Sequence, residues 1–321
     1  MKSQRAQSGA GARQVAAVLS ETAAAALATD GQPLLQLSDV RYSYPTGLLA
    51  LGGVDLDLRP GEIVAIVGPS GCGKSTLLSL ISGLAAPTAG QISWNEELLR
   101  ASDRGGRRLA MLFQRDTVFA WRTVEKNVQF GMECLRLPKA ERDEWTTTLL
   151  RMANLEQFRK SYPRSLSGGM RRRVGLLTSL AVRPSVLLLD EPFSALDEPT
   201  RVELASDVVK LSYQQRVSVV LVTHDLGEAI SIADRIIVMS NRPARVQRVF
   251  DVGFGHDRDV YSLRESAEYA ELYRELWHEL WEAIRADRPD QLSDAAVVSG
   301  VRPVPGPGPD HRAIAREEGN R

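Results

Sequence analysis

Gly68-Pro69-Ser70-Gly71-Cys72-Gly73-Lys74-Ser75-Thr76 is preceded by the apolar run Ile63-Val64-Ala65-Ile66-Val67 and followed by Leu77-Leu78-Ser79-Leu80-Ile81. The order is strand, glycine loop, helix, which is what a phosphate-binding loop requires. Gly68, Gly71 and Gly73 let the backbone curl so that successive N–H groups face inward, onto phosphate oxygens at the start of a helix. Lys74 is placed to reach β and γ phosphates, and the Ser75 hydroxyl to complete the shell of a Mg²⁺ ion. The implied ligand is a nucleoside triphosphate.

The rest of the composition narrows the setting. The chain has 321 residues, of which 43% are hydrophobic, so one main domain with extras is expected. Forty basic residues balance forty acidic ones, which gives no argument for a nucleic-acid partner. No uncharged apolar segment is long enough to span a bilayer, and the N-terminus lacks a basic-then-apolar export signal. A soluble, cytoplasmic chain is expected. Cys72 and Cys134 are too few for a disulfide framework and lack metal-site spacing. A bulky adduct on Cys72, inside the proposed loop, is expected to block it.

Working outward, residues 1–33 read as a flexible extension, with an Ala-biased run from Val15 to Ala28. Residues 34–250 read as one α/β domain. Leu35 to Tyr44 and Val54 to Leu58 alternate as strands of a small antiparallel sheet before the core. Val124 to about Leu180 reads as mainly helical, a helical subdomain of about 115–180 inserted between core strands. Leu109–Phe113, Val186–Leu189, Val217–Thr223 and Ile236–Met239 read as further strands. The apolar runs of the second and third are typical of a parallel sheet buried on both faces. Residues 251–284 carry an amphipathic helix, with Leu272, Leu276, Leu280 and Ile284 at i,i+4 spacing, expected to dock on its own domain. The tail 285–321, with Pro303-Val304-Pro305-Gly306-Pro307-Gly308-Pro309, is expected to be disordered.

Several polar residues end strands together. Asp190 and Glu191 follow Val186–Leu189, at the carboxyl edge where α/β sheets expose functional loops. Asp190 suits Mg²⁺, and Glu191 suits the polarisation of an attacking water. Gln114 can touch both the ion and the water without adding charge, and His224 can donate a hydrogen bond to a transferring phosphoryl group. Leu166-Ser167-Gly168-Gly169-Met170 is a second anion-binding candidate, with a helix expected to start near Met170. Arg171, Arg172 and Arg173 behind it read as a solvated basic face or as ion pairs. One nucleotide has no need of two glycine-lined sites, so an intermolecular site is plausible.

From about Leu34 to Pro243 the chain resembles the nucleotide-binding subunit of ATP-binding cassette (ABC) transporters. GPSGCGKST is similar to the Walker A loop, MLFQRD to the glutamine loop at Gln114 and LSGGM to the signature. VLLLDE resembles Walker B, SALD from Ser194 to Asp197 the D-loop, and LVTHD the switch-histidine segment at His224. The resemblance implies a P-loop NTPase fold of ABC type, with an antiparallel β subdomain and a helical subdomain, and implies ATP and Mg²⁺ as ligands. Catalysis would rest on Glu191, His224, Gln114 and Lys74, and the ion on Ser75, Gln114 and Asp190. Nucleotide contacts would come from Tyr44, stacked on adenine, and from Gly68, Ser70, Gly71, Cys72, Gly73, Lys74, Ser75 and Thr76. Ser167, Gly168, Gly169 and Asp197 would serve a nucleotide held by a second copy, in a head-to-tail sandwich that closes on ATP.

The stretches FQRDTVFAWRTVEKNV and THDLGEAISIADRIIVMSNRPARV look like importers of nitrate, aliphatic sulfonates, taurine and related solutes. The resemblance implies a transmembrane permease, docked through the region Asp116 to Val124, a separate solute-binding protein, and a place at the cytoplasmic face of the membrane. No nucleic-acid partner is expected. Ala120 departs from the proline usual there, which loosens the loop near the permease. A non-transport cassette ATPase acting on nucleic acid or the ribosome is the competing class. The interval from Gln114 to Ser167 is too short for the coiled coil of the chromosomal versions, and one cassette is visible rather than two. An inactive regulatory cassette and an exporter are weaker rivals, since every catalytic residue type is present and the motif context is importer-like.

Overall fold

A computed structural model describes residues 32–95, 109–114, 117–194, 196–255 and 258–285. The Val15–Ala28 run and the proline-rich stretch 303–309 lie outside them. Nine strands are described: β1 (Leu35–Ser43), β2 (Leu49–Leu58), β3 (Ile63–Val67), β4 (Ala89–Trp94), β5 (Leu109–Leu112), β6 (Val186–Asp190), β7 (Ser218–Val222), β8 (Arg235–Met239) and β9 (Val246–Asp251). The helices are α1 (Lys74–Ile81), α2 (Val124–Cys134), α3 (Lys139–Met152), α4 (Gly168–Ala181), α5 (Glu198–Gln215), α6 (Leu226–Ile232), α7 (Val260–Leu263) and α8 (Ala267–Arg285).

The large sheet has the order β5-β6-β7-β3-β8-β9 and is parallel except for β9, which runs antiparallel to β8. All five residues of β3 and of β7 are buried, as their unbroken apolar runs predict for strands covered on both faces. The period-two alternation of side chains divides them between two cores. Ile63, Ala65, Val67, Leu187, Leu189, Val219 and Leu221 face a cluster shared with α2, α4, α5 and α6. Val64, Ile66, Val186, Leu188, Val220 and Val222 face the other, shared with α1 and the small sheet.

The small sheet is antiparallel in the order β2-β1-β4. Its third strand, β4, follows α1, so the sheet is not completed ahead of the core as the sequence suggested. Arg235 fastens the two sheets together, its Nη1 3.0 Å from Asp57 Oδ1 and its Nε 2.9 Å from Glu62 Oε1.

The helical insertion begins where Thr123 caps α2, its hydroxyl accepting from Lys126 N. Pro138 separates α2 from α3, and two single turns of 3₁₀ helix at Glu156–Phe158 and Pro163–Ser165 lead to α4. Near the C-terminal end of the described chain, α8 buries Leu276, Leu280 and Ala283 against α6 and β8. This helix begins at Ala267, five residues ahead of the leucine stripe. No described helix is long and apolar enough to cross a membrane.

Candidate active site

Strands β3, β5, β6 and β7 reach the same edge of the large sheet, and the residue or loop following each belongs to the site. The glycine loop follows β3. Its path favours glycine at three places: Gly71 and Gly73 hold φ +74° and +129°, and a Cβ on Gly68 would sit 3.0 Å from the Met239 carbonyl oxygen. Lys74, the first residue of α1, is 6% exposed, and its Nζ donates to the carbonyl oxygens of Gly68 at 2.8 Å and Pro69 at 2.9 Å. The ammonium is thus held against the loop's own carbonyls. No acidic residue stands in the first turn of α1, so nothing there competes with an incoming anion.

Cys72 is buried beneath the loop, and burial pushes its thiol up from the ordinary value. A buried, protonated thiol is a poor nucleophile, so the expected block by thiol adducts is not favoured. Its backbone N–H donates to the Pro69 carbonyl oxygen at 3.3 Å.

The Ser75 hydroxyl donates to Asp190 Oδ1 at 3.0 Å. Burial holds the Asp190 carboxyl above its ordinary range, opposed mainly by that hydrogen bond. A hydroxyl and a carboxylate, converging from α1 and from the end of β6, are the hard oxygen donors that Mg²⁺ prefers. Glu191, the next residue, adopts φ +43°, an uncommon conformation for a side chain of its size, while its N–H still bonds Val222 O at 2.9 Å. Its Oε2 accepts from Gln114 Nε2 at 2.8 Å, and its Oε1 lies 3.2 Å from His224 Nδ1. Gln114, Glu191 and His224 therefore meet on one carboxylate, as their strand-end positions predict.

The Tyr44 hydroxyl shares a 2.6 Å hydrogen bond with Thr76 Oγ1, and its ring packs edge-on against Tyr42. This brings the aromatic expected at adenine to the end of the glycine loop, with the ring 39% exposed.

Ser167, Gly168, Gly169 and Asp197 are not drawn into this cluster. Helix α4 starts at Gly168 rather than near Met170, with Ser167 as its cap accepting from Met170 N at 3.2 Å. Ser167, Gly168 and Asp197 are exposed, and Gly169 is buried against Thr200. Among the described residues, no hydrogen bond or ion pair links these four to Lys74, Ser75 or Asp190.

The arginine run is not a uniform solvated face. Arg173 pairs with Glu203 at 2.6 Å and Asp207 at 3.2 Å, as one reading allowed. Arg172 is buried, and its guanidinium donates to the carbonyl oxygens of Pro192 at 2.6 Å, Phe113 at 2.7 Å and Gln114 at 3.1 Å. It anchors the backbone on either side of the Gln114–Glu191 contact, a role the sequence reading missed. The signal was available: Arg172 stands three residues from both Gly169 and Gly175, on the buried face of α4. Thr223, Arg201 and Glu228, beside His224, were missed as well.

The family model described as ABC transporter matches residues 51–194. The chain is similar to the taurine import ATP-binding protein TauB of Roseobacter denitrificans, at 37% identity covering 72% of this chain and 87% of the relative. It is also similar to the nitrate transport protein NasD of Klebsiella oxytoca, at 36% identity covering 75% and 94%. Among solved structures it is similar to the ATP-binding cassette MJ0796 in a dimeric post-hydrolysis state bound to ADP and Pi. That likeness has TM-score 0.57 and 31% identity, covering 68% of this chain and 98% of the other.

Proposed function

The chain belongs to the ATP-binding proteins of ABC transporters, and from that premise we propose that it drives uptake of a nitrate-, sulfonate- or taurine-type solute by hydrolysing ATP between two copies of itself. The observation that carries the catalytic part is the meeting of Gln114, Glu191 and His224 beside the Ser75–Asp190 pair. Lys74 exchanges its loop carbonyls for phosphate oxygens when the triphosphate enters. Glu191 accepts a proton from the attacking water, held in place by Gln114 on one oxygen and His224 on the other. His224 then supports charge building on the transferring phosphoryl group. Mg²⁺, when bound, neutralises charge on the phosphates, and Ser75, Asp190 and Gln114 would hold it. With Gln114 Nε2 committed to Glu191, the amide oxygen is the atom remaining for the ion.

Exposure of Ser167, Gly168 and Asp197 supports the sandwich, in which they face the nucleotide of a second copy. The solved relative is itself dimeric. On the permease side, a cleft of about 300 Å³ is lined by Ala120, Trp121, Tyr162 and Arg164, with the Trp121 ring 75% exposed. An apolar ring at a cleft rim suits a cytoplasmic helix of the permease, which would place this subunit at the cytoplasmic face of the membrane. A separate solute-binding protein would supply the cargo from the other side. Residues 1–33 and 285–321 form extensions to the cassette in this reading.

The test is to co-purify the chain with its permease, reconstitute the complex in liposomes with the binding protein, and follow labelled nitrate and taurine. ATP-dependent uptake that disappears with Glu191→Gln is expected. ATP-driven movement outward, or uptake indifferent to that substitution, contradicts the proposal.

A further inference from the structure

Arg201, one turn into α5, reaches two separate parts of the site. Its Nη2 donates to the carbonyl of half-buried Leu196 at 3.2 Å, directly before the exposed Asp197. Its Nη1 lies 2.6 Å from Asp225 Oδ2, the residue directly after His224. Its Nε, buried without a hydrogen bond of its own, faces Glu228 Oε1 at 3.5 Å. Glu228 is 3% exposed and accepts from the Thr223 hydroxyl at 2.5 Å, while Thr223 Oγ1 accepts from Asp225 N at 3.0 Å. Asp225 closes the ring by capping α6, its Oδ1 accepting from Glu228 N at 3.1 Å. Thr223 and Asp225 flank His224, so both neighbours of the histidine are fixed by this network. Thr223 N also bonds Ile66 O at 3.2 Å, tying the turn to the strand that feeds the glycine loop.

Buried charges of this kind cost desolvation, and a cap needs only Asp225; Arg201 and Glu228 add little to packing that apolar side chains would not supply better. What they add is a fixed distance between two loops. We propose that Arg201 is a positioning residue for hydrolysis: it fastens the loop at Leu196 and Asp197 to the turn carrying His224, through Asp225 and Glu228. Contact of Asp197 with a second copy then sets the approach of His224 to Glu191 in the first. The proposal rests on the roles given above to His224 and Asp197.

The test uses the full-length chain with MgATP and the variants Arg201→Met, Thr223→Val, Thr223→Ser and His224→Ala, with kcat, KM, nucleotide affinity and melting temperature measured for each. Arg201→Met and Thr223→Val are expected to lower kcat by about tenfold or more while KM and affinity stay close to the parent, the mark of an interaction realised only in the transition state. Thr223→Ser, which keeps the hydroxyl, is expected to restore turnover. If Arg201→Met and Thr223→Val shift only the melting temperature and leave kcat unchanged while His224→Ala is inactive, the strap is overturned and the role of His224 stands. If His224→Ala itself turns over like the parent, the reading beneath the proposal fails instead, and the strap with it.

Discussion

Glu191 divides its two oxygens between Gln114 and His224 and holds an uncommon positive φ while doing so. Its replacement by Gln keeps the shape and removes the proton acceptor. Hydrolysis, measured as phosphate release, is expected to fall by about 10²–10⁴-fold with ATP binding retained; undiminished release would remove Glu191 as the base. Glu228 carries a different signature. Burial is the main cause that pushes its carboxyl from 4.5 up to about 7. The folded chain therefore holds the proton more tightly than the unfolded chain. This group's contribution is most favourable below pH 4.5 and is lost as pH rises toward 7, a difference of about 3 kcal/mol. Glu228→Gln has no such proton to lose, so its melting temperature relative to the parent is expected to rise from pH 5 to pH 8. A gap independent of pH contradicts this. At this scale the sequence was legible where chemistry recurs at strand ends, as at Gln114, Asp190, Glu191 and His224. It was opaque at Arg201, because that arginine is recognised by the carboxylates of Asp225 and Glu228, which come from another segment of the chain.

The glycine loop and α8 are the two elements whose sequence spoke most directly. Gly73, at φ +129°, also has no room for a Cβ, which would meet Leu51 Cδ2 at 2.9 Å. Gly73→Ala is expected to destabilise the chain by about 1–3 kcal/mol in urea unfolding and to abolish nucleotide binding; normal affinity would show that the loop tolerates another path. In α8 the leucine spacing predicted a docked face, and Leu276 is fully buried while Trp277, the next residue, is 53% exposed. Leu276→Ala is expected to cost about 2–5 kcal/mol, and Trp277→Ala to stay within about 0.5 kcal/mol of the parent. Equal costs would mean that the outer face is covered too. The start of α4 was less legible. Two glycines after Ser167 suggested a loop, but a capping hydroxyl starts the helix at once, and Gly169 is needed there because Thr200 Cγ2 would lie 2.4 Å from a Cβ.

For the whole molecule, the strand order β5-β6-β7-β3-β8 brings segments far apart in sequence to one edge, and this follows from the parallel topology that the buried apolar runs announced. The composition of the small sheet was harder to foresee, because β4 reaches it only after the chain has passed through β3 and α1. What one copy leaves over is the exposed turn at Ser167, distant in bonding from the loop at Lys74, and the account depends on a second copy bringing the two together. The most direct measurement is the mass in solution of the Glu191→Gln chain with MgATP, alone and combined with Ser167→Arg. Losing the Ser167 cap costs only about 1 kcal/mol, so the double variant remains folded. Glu191→Gln is expected to run as a nucleotide-dependent dimer, and the double variant as a monomer that still binds ATP. A double variant that pairs on ATP as readily as Glu191→Gln contradicts the shared site.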